Sequence, residues 1–75
     1  MAVDELLERV RSRRTLPPAA ERRRIREAAG VAQRELARAL GVSWTAIQRW
    51  ESGAMPRSHV DDYAGALRGL RELSR

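Results

Sequence analysis

An all-α fold of five short helices follows from three observations on this 75-residue chain. Apolar residues recur at three-to-four spacing in several segments, and nowhere do they alternate with period two over strand length. Glycine and proline punctuate the chain between those segments. Aromatic residues make up 4% of the sequence and β-branched residues are sparse, so the types that strands favour are largely missing.

Residues 1–14 read as the first helix, with Val3, Leu6, Leu7 and Val10 on one face. Pro17 and Pro18 stop it, because a proline pushes the residue before it out of helical geometry. Pro18 can then open a second helix, where its missing N–H costs nothing. That helix runs to Ala29, with Gly30 at its exit. A third helix, Gln33 to Leu40, ends at Gly41 in the same way. A fourth begins after Ser43, a good N-cap, and stops before Gly53. Met55-Pro56 is a turn. Ser58 is expected to cap the last helix, residues 58–73, with Asp61 three residues on as a short capping box. Val60, Tyr63, Ala64, Leu67 and Leu70 form its buried stripe. Residues 1–75 are thus expected to be a single domain.

The net charge is +5, and all fifteen basic residues are arginine. A balance of that kind suits a polyanion, either nucleic acid or an acidic membrane surface. Use of arginine in place of lysine fits a GC-rich genome, but that bias does not account for the sign of the net charge. The absence of cysteine excludes disulfides and thiolate metal sites. No run reaches the roughly 18 to 20 apolar residues that span a bilayer, and the N-terminus lacks the apolar core of a signal peptide. The expectation is a cytoplasmic protein without a membrane partner.

Gln33 to Ser52, "QRELARALGVSWTAIQRWES", has the dimensions of a helix-turn-helix: two short helices joined by a glycine-containing turn. Leu36 and Leu40 face the core, Ala37 is small where the helices cross, and Gly41 permits a left-handed backbone. At roughly 100° per residue, Ala46, Ile47 and Trp50 cluster on one side of the second helix and Thr45, Gln48, Arg49 and Ser52 on the other, with Trp44 at the border. The polar side carries the chemistry that reads DNA. Arg49 can pair bidentately with guanine O6 and N7, and Gln48 with adenine N6 and N7. Thr45 and Trp44 can meet thymine methyls.

With those residues in place, the stretch Ile25 to Gly53 resembles the phage lambda repressor/Cro family, also called the xenobiotic-response-element family of helix-turn-helix regulators. Arg26, Gly30, Gln33, Leu36, Ala37, Leu40, Gly41, Val42, Ile47, Glu51 and Gly53 fall in register. The resemblance implies base contacts from Trp44, Thr45, Gln48 and Arg49, and phosphate contacts from Gln33, Ser43, Ser52 and Arg57. It also implies an internal salt bridge between Arg26 and Glu51. Three features depart from the family: Ala32 where Ser or Thr precedes the glutamine, the bulk of Trp44, and the extra N-terminal helix.

Of the remaining arginines, Arg9, Arg11, Arg13 and Arg14 precede the prolines, and Arg22, Arg23, Arg24 and Arg26 follow them. About half are expected on a solvated face, in pairs with Glu5, Glu8 and Glu27 spaced as a helix turn requires. Arg11, Arg13 and Arg14 are also candidates for a basic arm along the backbone or into a minor groove. An enzyme has no footing, since His59 is the only histidine and Ser58, Asp61 and Asp62 read as a helix start. No cofactor, metal or small-molecule ligand is expected. The reading that follows is a sequence-specific regulator of double-stranded DNA, a repressor of phage or mobile-element type. Its alternative is a protein-binding module of the same fold, such as an antitoxin. The Leu6/Leu7/Val10 and Leu67/Leu70/Leu73 stripes have two uses: a homodimer interface, or packing against each other within one chain.

Overall fold

The computed structural model describes residues 2–74, except the side chains of residues 12–15. Five helices follow one another: α1 (Val3–Thr15), α2 (Ala19–Ala28), α3 (Gln33–Leu40), α4 (Trp44–Glu51) and α5 (Val60–Leu73). Among the described residues there is no strand, and no helix is long and apolar enough to cross a membrane. The expected all-α architecture of five short helices is the one observed.

The core gathers Ile25, Leu36, Ala37, Ile47, Trp50, Tyr63 and Leu67 from four helices. α3 packs on α4, and α2 packs on both α4 and α5. Gly41, the C-cap of α3, has φ +71, and a Cβ built there would meet nothing within 4 Å. The turn therefore needs glycine for its left-handed backbone and not for space. Ser43 caps α4 as its residue type predicts, its Oγ accepting the Ala46 N–H at 3.1 Å. Ala32 has no oxygen to do the same for α3. There, half of a capping box remains, with the Glu35 carboxylate accepting the Ala32 N–H at 3.0 Å.

The start of the last helix is a correction. α5 begins at Val60, and its N-cap is His59 in the left-handed region (φ 59), with no side-chain cap. Ser58 lies one residue too early, and its Oγ sits 2.9 Å from His59 Nδ1. Asp61 and Asp62 in the first turn face the positive end of the helix dipole. α1 packs on α5 within the chain, yet Val3, Leu6, Leu7 and Leu73 stay largely exposed.

Helix α2, AAERRRIREA, contains one large apolar residue, Ile25, and completes its inner face with two arginines. Arg22 is 5% exposed, so it is not among the arginines of the solvated face. Its Nε donates to Pro17 O at 2.7 Å, and one terminal nitrogen donates to Trp50 O at 3.0 Å and Ala54 O at 3.4 Å. Trp50 O lies in the last turn of α4, where carbonyls lack helical partners and the dipole is negative. A cation held there anchors the end of α4. Arg26 does comparable work through charge. It meets Glu51 with two hydrogen bonds of 2.6 and 3.0 Å, and it donates to Val31 O at 2.7 Å. Burial opposes the Glu51 carboxylate, but hydrogen bonds from Arg26 and Gln33 and the nearby positive charges outweigh it and hold its pKa below the ordinary glutamate value.

The side chains of Arg26 and Glu51 are 9% and 4% exposed, so removing one partner strands a buried charge. Arg26→Ala is expected to lower stability by about 3 kcal/mol in urea denaturation, whereas replacing both residues with methionine costs far less than twice that. The acid limb follows from the sign of the Glu51 shift. Its folded pKa lies below the unfolded value, so its contribution is complete above the unfolded value and is lost as pH falls through the folded one. Glu51→Gln should therefore flatten the decline in stability on the acid side of the ordinary glutamate pKa; an unchanged acid limb counts against the pairing.

Tyr63 supplies a second measurable quantity. Its ring is fully buried, 4.7 Å from that of Trp50, and its hydroxyl has no hydrogen-bond partner among the described residues. Burial pushes the phenol up to about 12, so the buried group is neutral. An unsatisfied buried hydroxyl carries a desolvation cost of about 1 to 3 kcal/mol. Tyr63→Phe is expected to raise the melting temperature by about 4 to 8 °C per kcal/mol recovered, and a fall would show that the hydroxyl is satisfied.

Candidate nucleic-acid interface

Placement of α4 decides what the molecule presents. Ile47 is 0% exposed and Trp50 6% exposed, so the inward side of the helix is Ile47 and Trp50, with Ala46 partly buried against the same core. Thr45, Gln48 and Arg49 consequently face outward and are all exposed. They bring a hydroxyl, an amide and a guanidinium to one edge of a helix anchored at both ends. This combination can donate to and accept from base edges in a major groove.

Around that edge, the residues with expected phosphate contacts fall into distinct settings. Ser43 Oγ accepts a hydrogen bond as the α4 cap and keeps its own proton for donation. Ser52 Oγ donates back to Gln48 O at 2.9 Å, which leaves its oxygen lone pairs but no spare proton. Gln33 stands in the middle of a network. Its Oε1 accepts from Trp44 Nε1 at 3.0 Å, and its Nε2 donates to Glu51 Oε1 at 3.0 Å. One amide proton remains for a phosphate. Arg57 is exposed and shares a groove of about 920 Å³ with Arg9, His59, Asp61 and Asp62.

The basic-arm candidates divide. Arg11 pairs with Glu8 at 2.9 Å on the exposed face of α1, while the side chains of Arg13 and Arg14 lie outside the described residues. Arg23 pairs with Glu27 at 3.4 Å, and Arg71 with Glu21 at 2.7 Å. Two features of the region escaped the sequence reading. Arg22 lies inside the protein, although its spacing of three from Ile25 on an apolar-poor helix was a usable signal. Arg34 lies over the Trp44 ring, 4.2 Å from its centroid, and no periodic pattern marks such a pair. Among the described residues no cluster of three His, Cys, Asp or Glu could hold a metal ion.

A model of the helix-turn-helix family matches residues 23–60 of the 75, from the middle of α2 through α3 and α4 to the first residue of α5. No curated protein and no solved structure matches the chain. The matched span contains the clamped helix, the turn at Gly41 and the exposed edge. The chain belongs to the Cro/C1-type helix-turn-helix family of DNA-binding regulators.

Proposed function

We propose that residues 1–75 act as one domain, a sequence-specific repressor of phage or mobile-element type that reads a major groove with the helix at 44–52. The supporting observation is the exposed Thr45/Gln48/Arg49 edge on a helix whose opposite side is locked into the core. The packed helix fixes the backbone positions of those side chains before DNA arrives, so the ordering cost left at binding is that of their rotamers. Gln33, Ser43 and Arg57 then hold the backbone and set the register, and Ser52 joins them once its hydroxyl turns from Gln48 O to a phosphate. The protein works in the cytoplasm by occupying an operator, with no cofactor, no small-molecule ligand and no catalytic step.

One module of this size covers about 600 to 1,000 Å² of protein surface on DNA, and useful affinity then calls for a second copy. Of the Leu6/Leu7/Val10 and Leu67/Leu70/Leu73 stripes, Leu67 is sealed in the core and cannot meet that copy, and Val10 and Leu70 are only partly open, so the surface left for it is Leu6, Leu7 and Leu73 together with Val3. Leu6→Glu with Leu7→Glu should shift a dimer to monomer in sedimentation while leaving the helical content intact. A wild type that sediments as a monomer at all concentrations removes the dimer from the proposal.

The base-reading role is tested on a selected duplex and on random duplex in parallel. Arg49→Ala should lose about 1 to 3 kcal/mol on the selected site and little on random sequence. Equal loss on both would reduce Arg49 to a phosphate contact. No loss on either would favour the antitoxin-like reading, in which the same fold binds a protein.

A further inference from the structure

Trp44 is a bulky residue at the first position of a helix that reads base edges. An indole has one donor and no acceptor, and here that donor is taken up by Gln33 Oε1 at 3.0 Å. The ring therefore has no hydrogen bond left to offer a base, only apolar contact. Its face is occupied as well, because the Arg34 guanidinium lies 4.2 Å from the ring centroid, within cation–π range. Both contacts cross the turn, joining the first residue of α4 to the first two residues of α3.

The same residues line a hollow of about 480 Å³, together with Arg23, Arg26 and Ala32. Arg26 is neutralised there by Glu51. Arg34 is exposed, and its guanidinium makes no hydrogen bond or ion pair with another described residue. Its N–H donors are therefore unspent, and two of them on one edge can bind a phosphate bidentately. A guanidinium already held against a ring loses less freedom on binding than an unsupported one.

We propose that Arg34 is a ligand for the DNA backbone, its guanidinium edge donating to a phosphate beside the start of α4, and that Trp44 is the positioning residue that holds it there. This rests on the DNA-binding reading and changes the part Trp44 plays in it: the residue sets a backbone contact in place of reading a base.

The experiment measures affinity of the full chain for a random-sequence duplex across a salt series, with folding of each variant checked by circular dichroism. Arg34→Ala should reduce the slope of log K against log salt by about 0.9, the value for one phosphate contact, and Arg34→Lys should restore the slope. Trp44→Ala should weaken binding, Trp44→Phe should recover it, and Trp44→Ala should add nothing in an Arg34→Ala background. An unchanged slope in an Arg34→Ala protein that still binds overturns the Arg34 assignment alone. Additive losses in the double variant overturn the positioning role of Trp44. A wild type that ignores duplex DNA at low salt removes the DNA reading, and this proposal with it.

Discussion

Burial of Trp50 sets the rotation of α4, and every residue that this helix offers for recognition takes its direction from that one constraint. The ring packs against Tyr63, with centroids 4.7 Å apart, and Ile47 one turn earlier is sealed completely. A helix of eight residues has little stability of its own, since nucleation is costly and few hydrogen bonds repay it. Its orientation is therefore a property of its packing. Once Ile47 and Trp50 are inside, the helical period turns Thr45, Gln48 and Arg49 outward.

Two arginines extend that constraint to the helix end. A chain this short buries only about 60% of the surface it exposes when unfolded, and α2 has a single large apolar side chain with which to contribute. Arg22 and Arg26 fill the remaining space and convert it into directional contacts. One gathers the carbonyls where α4 ends, and the other pairs with the last residue of that helix. Neither is available to a polyanion, so the net charge of +5 overstates the cationic surface that α2 presents.

The two ends of α4 are linked through polar groups as well as through the core. Trp44 at its start bonds to Gln33, Gln33 bonds to Glu51 at its finish, and Glu51 bonds to Arg26 on α2. The chain of contacts passes through the first residue of α3, so the angle between the helices of the pair is braced on both sides. The residues proposed for backbone contact and for base contact thereby share one frame. Such sharing is what lets a phosphate contact fix the register of a base contact.

Much of the fold was legible in the sequence because the signals are local. The bounds of α3 and α4 follow from Gly41, Ser43 and Gly53, and the inward side of α4 from the spacing of Ile47 and Trp50. The start of α5 was misplaced because Ser58 is a good cap type, whereas the left-handed backbone at His59 is not written in any residue preference. Among the site residues, the outward direction of Thr45, Gln48 and Arg49 could be derived from period alone. The settings of Arg22, Gln33, Arg34 and Trp44 could not. Period, caps and breakers act between residues a few positions apart, and these the sequence determined by itself. Which arginine is buried, and against what, depends on a carbonyl 28 residues away along the chain. Only the assembled tertiary structure brings those two groups within bonding distance.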